Sequence, residues 1–423
     1  MNVAFQTFGC RLNRAEALDH EARLLAEGHV AVSLEDGAPP DLIVVRGCSV
    51  TAKAERDCRK AIARLRARFP SASIEITGCL KATSSNSQPS TLPPTRLQPP
   101  TLNAQLSTPN PQRVPLRTAR AYLKIQDGCS GRCAFCIVPS FRGKPRSAPF
   151  GQVLARAQAF LSADYREIVV TGCNLAIYRD SGHGLSDVLS ALAAMGTDPA
   201  SRVGTDPMRA HRIRLSSLEP GVCDKSVLDA FAAHPNICRF IHLSVQSGSV
   251  PILARMNRPY SIEAVDRFCD AAMRSLGTRL ALGADIITGF PGETDADFAA
   301  TRDFVLRHPF ANLHVFPYSE RPGTSAATMG GSVPPEVRRA RARELEDIGC
   351  AKREAFAKSF IGQEVEVCVE RDNSGWTAEY LKCAIKAPKD LTDLKRTLSR
   401  RSLVKAQVAK AEGDHLVAIP SAG

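Results

Sequence analysis

No run in this 423-residue chain approaches the ~20 uninterrupted apolar residues that a membrane span needs, so no membrane partner is expected. The N-terminus, Met1-Asn2-Val3-Ala4-Phe5-Gln6-Thr7, has no charged region leading into an apolar run, so no secretory signal is expected. Nor are the 14 cysteines crowded into a short chain, which argues against a secreted disulfide scaffold and fits a reducing cytoplasm. At this length two or three domains are expected, with 44% apolar residues to fill their cores. One further absence is local. The run Cys129-Ser130-Gly131-Arg132-Cys133-Ala134-Phe135-Cys136 has the spacing C-x3-C-x2-C and no fourth cysteine.

A cubane [4Fe–4S] cluster has four irons, and thiolates are its usual ligands. Three closely spaced ligands leave one iron open to chelate a substrate or cofactor. The competing reading is a zinc site, although zinc knuckles usually pair two C-x2-C-like arms and close all four positions. Lys124-Ile125-Gln126-Asp127-Gly128 precedes the run, and Ile137-Val138-Pro139 with Arg142-Gly143 follows it. In these surroundings the run resembles that of the radical S-adenosylmethionine (SAM) enzymes. The resemblance implies an open iron that binds the amino and carboxylate groups of SAM.

A formal charge of +12 points to an anionic macromolecular partner. Residues 1–80 are nearly balanced in charge. The stretch Lys386 to Lys410 carries Lys386, Lys389, Lys395, Arg396, Arg400, Arg401, Lys405 and Lys410 against only Asp390 and Asp393. Such a patch suits a phosphate backbone without reading its sequence, and an ordinary solvated face is the plainer alternative.

The pattern of elements predicts an α/β fold. Strands at Val3–Phe8, Leu42–Val45 and Ser73–Thr77 alternate with helices at Ala15–Glu27 and Lys53–Phe69, which implies a small parallel α/β domain over residues 1–81. Its strands run into Gly9-Cys10, Gly47-Cys48 and Gly78-Cys79. In open parallel sheets the carboxyl ends of the strands form the binding crevice, so these cysteines are candidates to converge. A Ser/Thr/Pro-rich stretch, 82–115, has little to bury and reads as a linker. Over 116–355, strands expected at Glu167–Thr171, Arg212–Leu215, Phe240–Val245, Leu280–Ile287 and Leu313–Phe316 predict a full or partial (β/α) TIM-type barrel, with its site at the strand carboxyl ends. Within it, Gly196–His211 reads as an expanded loop. A charged helix over Pro334–Phe360 leads to a small all-β module, 358–423, with strands expected at Glu364–Glu370, Trp376–Cys383, Leu403–Val408 and His415–Ile419.

Taken whole, the chain resembles the methylthiotransferases of the radical SAM superfamily. Thr7-Phe8-Gly9-Cys10 with Asn13 and Glu16, Cys48-Ser49-Val50-Thr51, and Thr77-Gly78-Cys79 match the family's three opening motifs. Arg142-Gly143-Lys144-Pro145-Arg146-Ser147, Leu215-Ser216-Ser217-Leu218-Glu219-Pro220 and His314-Val315-Phe316-Pro317-Tyr318-Ser319-Glu320-Arg321-Pro322-Gly323-Thr324 are most similar to the branch acting on N6-threonylcarbamoyladenosine 37 of tRNA. Sibling branches act on N6-isopentenyladenosine or on a ribosomal protein aspartate. The resemblance implies a TRAM domain at the C-terminus, to which Gly375-Trp376-Thr377 and Tyr380 correspond, and the anticodon loop of ANN-decoding tRNA as partner. It further implies an electron donor such as flavodoxin or ferredoxin. Three places depart from the family pattern. Arg46-Gly47 precedes the second cysteine, Cys173 and Ala176 stand in the Thr171–Ala176 barrel motif, and the closing strand and helix of the first domain have no match.

The implied reaction replaces an aromatic C2–H with a methylthio group, chemistry that only cofactors carry. In the family scheme one SAM methylates a sulfur at an auxiliary [4Fe–4S] cluster, which Cys10, Cys48 and Cys79 would hold. A second SAM, at the [4Fe–4S] cluster of Cys129, Cys133 and Cys136, is cleaved to a 5′-deoxyadenosyl radical. No catalytic side chain beyond the six ligands is expected. Candidate SAM contacts are Phe135, Ser216, Glu219, Gln246 and Gly289, with packing as the alternative for Phe135 and turn formation for Gly283, Gly289 and Gly292. Cys173 ends a barrel strand, whereas the other cysteines read as small buried hydrophobes. From another class, a zinc-dependent RNA-binding protein without catalysis remains open.

Overall fold

The computed structural model describes residues 1–35, 38–80, 118–195, 210–220, 225–370, 372–386 and 398–421; the expected linker and most of the expanded loop lie outside them. The chain opens with β1 (Asn2–Thr7), α1 (Arg11–Ala26), β2 (Val30–Ala31), β3 (Leu42–Gly47), α2 (Ala52–Arg68) and β4 (Ser73–Gly78), forming a parallel sheet of order β2-β1-β3-β4. Strand β3 is a continuous apolar run, as strands covered on both faces of a parallel sheet are, and Ile43, Val44 and Val45 are buried. Helix α2 begins at Thr51, whose hydroxyl accepts from Ala54 N at 3.1 Å, and its Cys58, Ile62 and Leu65 stripe packs onto the sheet. Helix α1 is different. It buries Asn13, Glu16, His20 and Glu21 beside Ala15 and Leu18. Ala15 and Leu18 cover Tyr122 and Val169 of the central domain, so one face of α1 is an inter-domain surface.

The central domain runs through β5 (Ala121–Lys124), β6 (Gln126–Asp127), α3 (Val138–Arg142), β7 (Arg146–Ser147), α4 (Phe150–Ser162), β8 (Glu167–Thr171), α5 (Leu185–Ala194) and β9 (Arg212–Leu215). It continues with α6 (Lys225–Ala233), β10 (Phe240–Gln246), α7 (Val250–Arg255), α8 (Ile262–Leu276), β11 (Ala281–Thr288), α9 (Asp295–Arg307) and β12 (Phe310–Pro317). Six parallel strands form two ladders, β5-β8-β9 and β10-β11-β12, which meet through isolated bridges such as Leu218 to Leu243. This is a partial barrel. Alternate residues of each strand, among them Ile168, Val170, Ile241, Leu243, Leu282, Ala284 and Ile286, join the apolar core under the helices. The other set faces the barrel interior. Helix α10 (Pro335–Lys358) closes the free side by packing along β12.

A closed five-stranded barrel, β13-β14-β15-β17-β16, ends the chain: β13 (Glu364–Val369), β14 (Ser374–Thr377), β15 (Lys382–Ile385), β16 (Leu403–Glu412) and β17 (His415–Pro420). The single strand expected over Trp376–Cys383 is instead a hairpin. Tyr380 takes φ 63°, Thr377 N donates to Leu381 O at 2.9 Å, and the chain reverses so that Trp376 pairs with Lys382. Gly375 is obligatory there, because a Cβ would lie 1.9 Å from Cys368 O. The hairpin tip docks under the central barrel. Arg212 donates to Glu366 O and Trp376 O at 2.8 and 2.6 Å, and Arg214 to Thr377 O at 2.8 Å, while both guanidinium groups pair with the fully buried Glu167. No helix among the described residues is long and apolar enough to cross a membrane.

Candidate iron–sulfur and SAM site

Cys10 caps α1, Cys48 follows β3 and Cys79 follows β4, so all three stand at carboxyl ends of neighbouring parallel strands. The loops that carry them are in contact. A Cβ on Gly9, at φ 89°, would lie 2.7 Å from Cys48 Cβ and 3.0 Å from its Sγ. One on Gly78, at φ 82°, would lie 2.7 Å from Gly47 O. Asn13 Nδ2 ties two of the loops by donating to Phe8 O at 2.9 Å and Gly47 O at 3.1 Å. Cys58 steadies the Cys48 loop from beneath, its sulfur accepting from Cys48 N at 3.3 Å. Burial pushes the Cys48 thiol up to about 11, with Cys10 and Cys79 raising it further by like-charge repulsion. Cys79 is also raised by burial, against the pull of the Arg142 guanidinium. Thiols held neutral in this way ionise when a metal centre neutralises them, so the donor set suits a cluster.

The second trio lies on the loop between β6 and α3. A Cβ on Gly131 would lie 3.2 Å from Cys129 Sγ and 3.7 Å from Cys133 Sγ, so the loop curls around a space bordered by sulfur. Gly131 N donates to Cys129 Sγ at 3.2 Å. Arg258 donates to Cys133 Sγ at 2.9 Å and to Ser244 O at 3.0 Å, and pairs with Glu219 at 2.5 Å. Burial pushes Cys136 up to about 11, with Cys133 and Cys129 adding to it. Among the described residues the group of metal-ligating side chains whose donor atoms all lie within 4.8 Å is His242, Asp285 and His314. Neither cysteine trio is gathered that tightly.

One buried charge network joins the loop of the first trio to the residues that flank the second. Arg142 Nη1 donates to Glu16 Oε1 at 2.7 Å and Asp127 Oδ1 at 3.0 Å. Its Nη2 reaches Asn13 Oδ1 at 3.2 Å and Cys79 Sγ at 3.7 Å. Glu16 also accepts from Arg46 and Lys124, both at 2.6 Å, and Asp127 accepts from Lys124 at 2.8 Å. Cys173, at the end of β8, donates to Asp127 Oδ1 at 3.4 Å and so belongs to this network rather than to a ligand set. Arg142 thus follows the second trio in sequence and touches the first in space.

Residues 123–305 match the Radical SAM superfamily, and residues 2–94 match Uncharacterized protein family UPF0004. The threonylcarbamoyladenosine tRNA methylthiotransferase MtaB of Thermotoga maritima is 32% identical over 87% of this chain and 86% of its own, and that of Rickettsia prowazekii 31% over 89% of each. The tRNA-2-methylthio-N(6)-dimethylallyladenosine synthase of Chlorobium limicola is 33% identical over 87% of this chain and 86% of its own. This chain is a radical SAM tRNA methylthiotransferase. The radical SAM methyltransferase TsrM of Kitasatospora setae shares the fold alone, with TM-score 0.56 and 14% identity over 77% of this chain and 75% of that one. The cofactors of the family, SAM and [4Fe–4S] clusters, agree with the thiol chemistry above.

In this methylthiotransferase the other expected site residues have the following surroundings. Ser216 is buried and donates its hydroxyl to Val170 O at 2.9 Å. Glu219 is held by Arg258, and Gln246 is buried at φ 72° on the strand end. Phe135 packs beside Ala134, Ile252, Ile287 and Phe290. At Gly289 a Cβ would lie 2.2 Å from Arg338 Cγ, so the missing side chain makes room for Arg338. Gly283 and Gly292 likewise clear His242 and Arg255. In the basic patch Lys386 and Lys405 are exposed, the latter 3.6 Å from Glu364. Arg400 is half-buried, and Lys389, Lys395 and Arg396 lie outside the described residues. Arg401 leaves the patch: it is buried, stacked 3.8 Å over the Tyr165 ring and donating to Ala163 O at 2.7 Å. Sequence reasoning missed Arg258, a single arginine after α7 with no motif around it. The His242–Asp285–His314 group, spread over three strands, was also missed, although the alternation within β10, β11 and β12 puts all three on the inner face.

Proposed function

We propose that this enzyme methylthiolates C2 of N6-threonylcarbamoyladenosine 37 in tRNA, using two [4Fe–4S] clusters. Cys10, Cys48 and Cys79 would hold the auxiliary cluster, and Cys129, Cys133 and Cys136 the SAM-binding one. The observation that supports this reading is a cysteine trio on each of two domains, with Arg142, six residues after Cys136, bonded to Glu16, Asn13 and Cys79 of the other domain. When bound, the clusters and SAM supply the radical and the methylated sulfur. The protein's own residues do the placing. Arg258 and Arg142 each bring a positive guanidinium to a ligand sulfur, which favours the anionic thiolate and offsets the negative charge of a thiolate-ligated cluster. The buried network ties α1 of the first domain to β5 and α3 of the second.

The domain division would follow the expected bounds, 1–81, 116–355 and 358–423 around the 82–115 linker, with the last unit a TRAM domain whose Lys386 and Lys405 meet phosphate. A cytoplasmic setting with a flavodoxin- or ferredoxin-class reductant completes the reading. For the substrate branch, the MtaB relatives support the threonylcarbamoyl substituent, while the dimethylallyl synthase of equal similarity makes that adenosine the second reading. The deciding experiment offers reconstituted enzyme tRNA carrying either base and measures the methylthio product by nucleoside analysis. Product from the dimethylallyl substrate alone would reverse the branch. A colourless protein with zinc and no iron or sulfide would overturn the reaction itself.

A further inference from the structure

A bare aromatic ring inside the barrel mouth is unlike its surroundings. Phe316 is 41% exposed although it lies on the last parallel strand, β12, at the carboxyl end where barrel sites form. Its neighbours in sequence, Val315 and Leu313, point the other way into the helix-covered core. Phe316 therefore shares the inner face with His314, whose ring stands 6.4 Å away at 75°. Across the ladder, Phe316 pairs with Ile287 and His314 with Asp285. Register partners in a parallel pair project to the same side, about 4.8 Å apart. Ile287 in turn packs in one cluster with Ala134, between Cys133 and Cys136, with Phe135 against it. On the other side, Ser319 accepts from Ala52 N at 3.1 Å, four residues after Cys48, and Arg321 pairs with Glu55. Phe316 thus lies on a strand whose ladder partner packs beside the Cys129–Cys136 loop and whose following residues contact the segment after Cys48.

His314 is held rigidly in this corner. Asp285 Oδ1 accepts from His314 Nδ1 at 3.2 Å and from His242 Nε2 at 2.9 Å. Asn312 Nδ2 donates to His314 Nε2 at 3.2 Å, and its orientation is set by Arg353, which donates to Asn312 Oδ1 at 2.9 Å. With one carboxylate oxygen already shared by two imidazoles, the group acts as an orienting chain rather than an open cation site. What remains available is the exposed side of two rings at nearly right angles, His242 lying 4.6 Å from the His314 ring on its other side.

We propose that Phe316 and His314 form an aromatic corner that receives the target purine of tRNA, flipped out of the anticodon loop, with Phe316 stacking on the base and His314 forming the side wall. The proposal rests on the tRNA-modifying reading above and names the residues that hold its substrate. Enzymes acting on a base take it out of its stack and lay it on aromatic side chains. Base–aromatic stacking of this kind corresponds to roughly 5- to 150-fold in binding per base. His314 is a positioning residue here, and Phe316 the one that touches the base.

The test uses the full chain with tRNA carrying 2-aminopurine at position 37. The wild-type protein should quench the probe's fluorescence by stacking, Phe316→Ala should leave it bright, and Phe316→Tyr should restore quenching. On the natural substrate, Phe316→Ala should lose roughly 5- to 150-fold in kcat/KM, with tRNA-independent cleavage of SAM to 5′-deoxyadenosine retained as proof of a folded barrel. Wild-type quenching and wild-type kcat/KM in Phe316→Ala would overturn the corner. Failure of the wild-type enzyme to methylthiolate any tRNA would instead overturn the functional reading, and the fluorescence comparison would still decide the corner.

Discussion

Replacing Glu16 by Gln should loosen the apposition of the first two domains without unfolding either. Glu16 sits on α1 and accepts from Arg46, Lys124 and Arg142 at 2.6, 2.6 and 2.7 Å, all of them buried. Burial alone would raise its pKa; Lys124, Arg142 and Arg46 prevail and bring it from the usual 4.5 down to about 2. Such a displacement corresponds to about 3 kcal/mol, and breaking a buried ion pair by removing one partner costs about 3–5 kcal/mol. Because the folded pKa is depressed, this stabilisation is present above pH 4.5 and is lost as pH falls toward 2. Global melting would blend several domains, so the better assay is hydrogen exchange resolved by segment. At pH 7, amides of α1 and β5 in Glu16→Gln should lose protection by roughly a hundred- to several-thousand-fold, while those of β11 and β13 stay unchanged. In the wild-type protein, rate-corrected protection of α1 should fall toward that of the variant between pH 4.5 and 2. A loss of less than about tenfold in α1 would show that the network does not hold the domains together.

Other outcomes follow from the same geometry. Changing Cys129, Cys133 and Cys136 together to Ala should lower iron content by about half and abolish 5′-deoxyadenosine formation, since each cubane is the same size; persistent nucleoside production would refute the assignment. Cys48→Ala should abolish methylthio transfer yet leave SAM cleavage in place, and a normal rate of tRNA methylthiolation would count against the auxiliary site. Neutralising Lys386, Lys405 and Lys410 to Gln should flatten the salt dependence of tRNA binding by about 0.7–0.9 in slope for each phosphate no longer neutralised; an unchanged slope would make the patch a solvated face. Removing the whole C-terminal barrel is a poorer test, because Arg212 and Arg214 would be deprived of the carbonyls of Glu366, Trp376 and Thr377.

Where burial and local pattern coincide, the sequence is legible. The strands at Glu167–Thr171 and Arg212–Leu215 lie where alternation with helices puts them, and the three Gly-Cys pairs do end parallel strands. Asn13 and Glu16, met first only as parts of a motif, prove to be the anchor of a loop and the hub of a charge network. Strand β5 escaped notice because four residues ending in Lys124 carry too short a pattern, and the buried lysine makes sense only opposite Glu16, 108 positions earlier. The hairpin at Tyr380 was invisible for a related reason. An aromatic residue gives no hint of a left-handed backbone, which here is stabilised by stacking on Trp376 and, from another domain, on Phe240. At Gly289 the close approach that a glycine marks is that of Arg338.

The anchoring of the C-terminal barrel has a consequence for how a nucleotide is chosen. Glu167, Arg212 and Arg214 are fully or almost fully buried beneath the barrel, and their bonds run into the β14–β15 turn. A module fastened by charges that water cannot reach does not swing on a tether. Its exposed Lys386 and Lys405 therefore stand at a constant span from the mouth of the central barrel, like two marks on a caliper. If these lysines grip phosphate as proposed above, an RNA held at one mark would present to the other whichever nucleotide lies at that span. Position along the loop would then be selected by length, leaving only the identity of the base for the chamber to read.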